Sequence, residues 1–357
     1  MPVRIVVLPG DGIGPEITEA TLAVLDAADA KHGLGLTYER HDIGFVTLNT
    51  IGTTLQDSVV EAARAADGII LGPVSHQDYP TRAEGGRNPS GDLRLSLDLW
   101  ANIRPARSRE GIPHYGRTPM DLVIVRENTE GFYADRNMFQ GIGEFMPTPD
   151  VALAVRKITA QASSRIARAA FDLAETRHQR VTAVHKSNVL HVTEGLFLAE
   201  VRKIAQQHPG VAYEEQLVDS MAALLVRQAD HYDVVVTTNM YGDILSDEAS
   251  ELSGSLGLAA SINASDEHCM AQAQHGSAPD IAGQGIANPT SLILSTAMLL
   301  GWLARKHGNE RFAEAERTID TIVNAMITAP ATRTRDLGGP LGTKAFTAAV
   351  CDRIRQA

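Results

Sequence analysis

Asp243 and Asp247 stand one helical turn apart in Gly242-Asp243-Ile244-Leu245-Ser246-Asp247-Glu248, a spacing that puts both carboxylates on one face of a helix beginning near Asp243. Two aligned carboxylates repel unless a cation joins them, and hard oxygen ligands of this kind suit Mg²⁺ or Mn²⁺, completed by water and substrate oxygens. The same spacing also suits an N-cap at Asp243 followed by a solvated Asp247. A third carboxylate, Asp219, lies among apolar neighbours at a predicted strand end, where it could equally cap a helix. Arg94 and Arg104 bracket Leu95 to Ile103, and Arg126 closes the strand Leu122 to Val125. Guanidinium groups grip carboxylates through paired hydrogen bonds, so converging arginines imply a di- or tricarboxylate, whereas a lone strand-end arginine is more often a surface residue.

The elements around these residues follow an alternating order. Apolar runs at Ile5 to Leu8, Gly68 to Leu71, Asp121 to Val125, Val181 to Val184 and Asp233 to Thr237 read as strands, and longer helical patterns cover Pro15 to Ala30, Pro289 to Lys306 and Arg311 to Ala329. That alternation predicts α/β layers on a mostly parallel sheet. The last two strands open into His185-Lys186-Ser187-Asn188 and Thr238-Asn239-Met240-Tyr241-Gly242-Asp243, and strand ends of this kind are where α/β proteins build sites. Thr81 to Gly91, rich in Gly, Pro, Asn and Ser, reads as a loop of the type that carries specificity.

Composition bounds the function. With 357 residues, 44% of them hydrophobic, the chain can bury a large core divided between two subdomains. A formal charge of −11 without clustered Lys and Arg argues against a nucleic-acid surface. Cys269 and Cys351 are too few and too far apart for a disulfide framework or a zinc site, which fits a reducing compartment. Val3 to Leu8 reads as a strand rather than a targeting segment, and Leu292 to Leu303 falls short of the roughly 20 residues of a membrane helix, so the expected address is the cytoplasm, with no membrane partner.

Pro9-Gly10-Asp11-Gly12-Ile13-Gly14-Pro15-Glu16 follows a strand and opens a helix, which invites comparison with a dinucleotide-binding turn. The third glycine comes one residue early for that motif. A structural turn with Pro15 near the helix start is the better reading, and the cofactor site is to be sought elsewhere.

Four longer segments resemble, in order and spacing, the β-decarboxylating dehydrogenases of the isocitrate/isopropylmalate dehydrogenase family. They are Arg126 to Tyr133, His185 to Val189, Tyr241 to Asp247 and His275 to Gly283. The resemblance spans Gly10 to Gly339. It implies the family's two-subdomain α/β fold, which is not a Rossmann fold, with residues 1–100 plus 252–357 as a cofactor-binding subdomain and 101–251 as a substrate, metal and dimerisation subdomain. It further implies that Arg94, Arg104 and Arg126 hold the malate-like core of a hydroxy acid, that Asp219, Asp243 and Asp247 bind Mg²⁺ or Mn²⁺, that Lys186 is the base and that Tyr133 protonates the enol carbon. In this family Lys186 and Asp219 enter from the partner subunit, so a homodimer is implied. His275, Gly276, Ser277, Ala278, Asp280, Ile281 and Asn288 fall in the resemblance's adenosine site, and Asp280-Ile281 stands where NADP-using relatives tend to carry Lys-Tyr, which favours NAD.

The chain departs from the family in two places. Gln272-Ala273-Gln274 replaces the usual Glu-Pro-Val or Glu-Pro-Ile, removing one cofactor-side carboxylate and putting nicotinamide positioning in question. In the stretch that reads the C3 substituent, Asn88 and Ser90 are polar where isopropylmalate enzymes need apolar contacts, while Asp92 would repel a third carboxylate if it pointed inward. Together with Arg126 to Gly131, His185-Lys186 and Thr193 to Leu198, this expects an isocitrate- or homoisocitrate-like substrate, with Asn188 joining Asn88 and Ser90 among its binding residues. The alternatives are D-malate or tartrate, then 3-isopropylmalate; a non-catalytic subunit and a conventional Rossmann dehydrogenase are the readings of other classes. Arg87 is left between specificity residue and solvated loop.

Overall fold

A computed structural model describes residues 2–357. The chain divides into two compact units, one of Met1–Leu97, Arg109–Pro113 and Leu256–Ala357, the other of Asp98–Ser108 and His114–Ser255.

In the first unit the strands run in the order Leu36–Arg40, Val3–Leu8, Gly68–Leu71, Cys269–Gln272 and Ile262–Ala264, parallel except for the last pair. Ile5 to Leu8 and Ile69 to Leu71 are buried throughout, which is why they read as continuous apolar runs. The helix Gly14–His32 starts with Pro15 in its first turn and ends on Gly33 at φ 64°, a left-handed stop that glycine adopts without steric penalty. The turn before it packs tightly: Ile13 N donates to Ser277 O at 2.8 Å, and a Cβ added at Gly12 would lie 2.0 Å from that same oxygen. The expected structural turn is therefore pressed against the 275–288 segment. Helices Thr290–His307 and Glu310–Thr328 pack together, and Gly301 leaves room on the first for the Glu316 carboxylate of the second.

In the second unit Ala101–Arg107 runs antiparallel to Asp121–Glu127, which continues in parallel with Val234–Thr237, Arg180–His185 and Ala212–Leu217. Side chains alternate across this sheet. Val123, Val125, Val181, Ala183, Val234 and Val236 face helices Ala160–Glu175 and Thr193–Ala205, whereas Leu122, Ile124, Val184 and Val235 face helices Val218–Gln228 and Asn239–Ser253. Both faces are covered, and the ends of the parallel strands, where loops turn into helices, remain for chemistry.

Three local readings differ. The helix bearing Asp243 begins at Asn239, so Asp243 lies in its second turn and is not a cap; Asn239, Tyr241 and Gly242 are buried, which places this polar run inside the helix rather than in a loop. Asp219 lies in the first turn of Val218–Gln228, one residue beyond its start, where its charge suits the helix dipole. The loop from Thr81 ends earlier than Gly91, because the helix Pro89–Ser96 starts at Pro89 with Asn88 as its cap. A feature without a sequence signal is the two-stranded ribbon Glu144–Thr148 and Val151–Ala154, on which Phe145, Met146, Val151 and Leu153 are exposed. No helix among the described residues is long and apolar enough to cross a membrane.

Candidate active site

Strand alternation aims two arginines at one helix. Arg126 continues the face of Leu122 and Ile124, and Arg104 that of Ala106, so both meet helix Asn239–Ser253. Arg126 is only 2% exposed, and its stem lies against Gly242, where an added Cβ would approach its Cγ to 2.6 Å. Arg126 donates through Nε and Nη2 to Asn239 Oδ1 at 2.9 and 2.7 Å, through Nη2 to the Tyr133 hydroxyl at 2.9 Å, and through Nη1 to Asp243. Tyr133 in turn donates its hydroxyl proton to Asp243 Oδ2 at 2.5 Å. Arg104 donates to Asn102 Oδ1, to Ser246 Oγ at 2.7 Å and to Asp247 Oδ1 at 3.1 Å, and pairs with Asp243 at 3.3 Å. Burial, and then the neighbouring Arg126 charge, pull the Arg104 guanidinium down to about 10, with Asp243 and Asp247 opposing.

Lys186 follows strand Arg180–His185 and pairs with Asp219. That hydrogen bond holds the Asp219 carboxyl below its ordinary value. The Lys186 backbone N–H donates to Glu194 Oε2 at 3.1 Å, and Glu194, fully buried, is ion-paired with Arg156. Arg156 also donates to Thr193 and Thr238 and lies over the rings of Phe132 and Tyr241, at 5.0 and 5.6 Å from their centroids. Asn188, in the turn after Lys186, is exposed. The carboxylates thus fall into two groups within one chain, Asp243 with Asp247 and Asp219 with Lys186. Among the described residues no cluster of three or more His, Cys, Asp or Glu is placed to hold a metal ion.

Ser90, Asn88 and Arg94 belong to the first unit. Asn88 Oδ1 accepts from Gly91 N, capping Pro89–Ser96, while Ser90 and Arg94 both donate to Gln272 Oε1, at 3.0 and 3.2 Å. Arg87 is engaged by Asp92, Asp57 and the Leu55 carbonyl, and Arg82 also pairs with Asp92. In the 275–288 segment His275 is half-buried; the loss of water around its ring lowers its pKa, and its shielded Nε2 has no hydrogen-bond partner among the described residues. Ser277 shares a 2.7 Å hydrogen bond with Ser75, Ala278 takes φ 37°, and Gly276 and Asp280 are exposed beside the half-buried Ile281. Asn288 accepts from Thr290 N and donates to Asp336.

A sequence profile of the isocitrate/isopropylmalate dehydrogenases matches residues 4–354. The chain belongs to this family. It is 41% identical over 358 residues, 99% of each chain, to the isocitrate/homoisocitrate dehydrogenase of Thermus thermophilus, and 39% identical over 98% of each chain to the 3-isopropylmalate dehydrogenase of Methanothermobacter thermautotrophicus. Among solved structures, the isocitrate dehydrogenase of Methylococcus capsulatus superposes with a TM-score of 0.86 at 38% identity, covering 99% of this chain and 100% of that one. Family members are oxidoreductases that decarboxylate hydroxy acids, generally with NAD(P) and a divalent metal. Both the expected resemblance and the expected fold class stand. Sequence reading did not single out Asn239, Arg156 or Glu194, nor the contact of Gln272 with Ser90 and Arg94, because each links residues apart in the chain.

Proposed function

We propose that this protein catalyses NAD-dependent, divalent-metal-dependent oxidative decarboxylation of a 2-hydroxy acid carrying a carboxylate on C3, of the isocitrate or homoisocitrate kind. The observation that carries the reading is the buried pair Arg104 and Arg126 converging on Asp243 beside the Tyr133 hydroxyl. Two guanidinium and two carboxylate charges balance there, so a divalent cation held by Asp243 and Asp247 leaves the complement of a dicarboxylate. The donor set suits Mg²⁺ or Mn²⁺, being hard oxygens in partial contact with water. Asp219, engaged with Lys186 in its own chain, completes the set from a second copy. When bound, the metal supplies Lewis-acid polarisation of the substrate hydroxyl and carboxylate.

The residues then divide the work. Arg104 and Arg126, with Arg94, grip the carboxylates. Lys186 of the second copy, directly or through water, takes the C2 hydroxyl proton as hydride leaves C2 for NAD. The 2-oxo acid loses its C3 carboxylate as CO₂, and Tyr133 delivers a proton to C3. His275 Nε2, buried and unpartnered, offers a hydrogen bond to the adenine, with Gly276, Ser277, Ala278, Ile281 and Asn288 around it, and the exposed Asp280 suits ribose hydroxyls and repels a 2′-phosphate. Support for a homodimer comes from the exposed apolar side chains Val189, Val192 and Ile244 flanking Lys186 and Asp243, and from the apolar ribbon. Two buried free thiols fit a cytoplasmic address.

Arg82 and Arg87 neutralise Asp92, so that its carboxylate does not repel a third carboxylate of the substrate. NADH production with Mn²⁺ across isocitrate, homoisocitrate, 3-isopropylmalate, D-malate and tartrate, with and without chelator, tests the proposal. A chelator-sensitive response to isocitrate or homoisocitrate supports it, a preference for 3-isopropylmalate reassigns the substrate, and silence on all five favours a non-catalytic role.

A further inference from the structure

Gln272 ends the strand Cys269–Gln272 with its main chain fixed: its N–H donates to Ser261 O at 3.1 Å, and its carbonyl accepts from the Ser261 and Ser295 hydroxyls at 2.7 and 3.2 Å. From this anchored position its side-chain oxygen accepts three hydrogen bonds, from Ser90 at 3.0 Å, Arg94 at 3.2 Å and Asn263 at 3.3 Å. Arginine can only donate, so the atom it meets must be the amide oxygen and not the nitrogen. Ser90 and Arg94 stand one turn apart on Pro89–Ser96, hence one acceptor gathers a whole face of that short helix.

The remaining polar side chains at the start of this helix are committed elsewhere: Asn88 to the Gly91 N–H, and Asp92 to Arg82 and Arg87. The helix is therefore clamped on one side by ion pairs and on the other by a neutral amide. A carboxylate in place of the amide would add a second charge to a hydrogen bond that the guanidinium already assists, turning it into an ion pair and setting a negative charge against Arg94. The amide orients Arg94 without setting a negative charge against it.

We propose that Gln272 is a positioning residue for the hydroxy-acid substrate: it aims the Ser90–Arg94 face of the Pro89–Ser96 helix through a neutral acceptor, adding no negative charge of its own beside Arg94. This rests on the reading of Arg94 as a substrate ligand. It also reassigns position 272 from the cofactor side, where the family resemblance put it, to the acid side.

The test compares the wild type with Gln272→Glu and Gln272→Met in the full-length protein. For Gln272→Glu at pH 8 the KM for the best acid rises about tenfold, the factor that accompanies one stronger competing bond, and falls back towards the wild-type value as pH is lowered and the introduced carboxyl protonates. Gln272→Met, which has no strong acceptor, shows a smaller and pH-independent rise. A KM change confined to NAD, or an acid KM that stays unmoved in Gln272→Glu, overturns the inference. Phenylglyoxal labelling of Arg94, followed by peptide mass spectrometry, separates this outcome from failure of the functional proposal. Slower labelling in Gln272→Glu is expected whichever acid is turned over, and an unchanged rate refutes the contact itself.

Discussion

Replacing Glu316 by glutamine should stabilise the protein at alkaline pH and do little in acid. Glu316 lies on Glu310–Thr328, pressed towards Gly301 of the neighbouring helix, where an added Cβ would come within 2.1 Å of its Oε2. Burial, reinforced by Asp320 and opposed by Arg305 and Arg317, pushes its carboxyl from 4.5 up to about 7. An acid whose folded pKa is raised contributes stability that is fully present below the unfolded value and is lost as pH rises through the folded one. The window here runs from 4.5 to about 7. At 1.36 kcal/mol per pH unit, the ionised side chain costs the folded state up to about 3 kcal/mol above that window. Glutamine keeps the shape and never ionises. Urea denaturation at pH 8 should show Glu316→Gln more stable than wild type by up to about 3 kcal/mol, and the gap should shrink below about 1 kcal/mol at pH 5. A gap of equal size at both pH values would refute the reasoning. A variant less stable than wild type at pH 8 would show that Arg305 holds the carboxylate in a net favourable pair.

Removing one partner of the buried Arg156–Glu194 pair strands a charge, so Glu194→Ala should lose about 3–5 kcal/mol in urea unfolding, with Arg156→Met/Glu194→Leu recovering most of it; a loss below about 1 kcal/mol contradicts this. Gly242→Ala introduces a methyl against the Arg126 stem, and a guanidinium displaced by about 1 Å should lower kcat/KM roughly 100-fold with helicity unchanged by circular dichroism. Wild-type activity in that variant would mean that Arg126 does not set substrate geometry. Tyr133→Phe should reduce steady-state turnover by about 10²- to 10⁴-fold while a stoichiometric NADH burst survives, and loss of the burst would place Tyr133 in an earlier step.

What could be read from the sequence was local. Gly68–Leu71 and the Leu122 to Val125 stretch of Asp121–Glu127 declared themselves because strands covered on both faces are apolar along their buried length. The Asp243–Asp247 spacing was legible, but the start of its helix was not. Asn239 and Gly242 look like loop residues until Arg126, from a strand far away in sequence, supplies a reason for both to be inside. Arg87 could not be assigned for the same reason, since Asp57 lies thirty positions away. The ribbon at Glu144–Thr148 and Val151–Ala154 had no signature: both its faces are exposed, so neither alternation nor a continuous apolar run marks it, and prolines at 147 and 149 punctuate it.

That ribbon also sets a kinetic problem for the newly made chain. Folding of one molecule is first order, whereas covering Phe145, Met146, Val151 and Leu153 with a second copy is second order in protein. Two strands alone are marginal in water, and their outer edges can template unwanted pairing. On the proposed assembly, dilution therefore lengthens the time that an adhesive surface spends uncovered without slowing the folding that creates it. Recovery from denaturant would then have an optimum, with too little protein leaving chains unpaired and too much favouring ribbon-to-ribbon aggregation over the symmetric match.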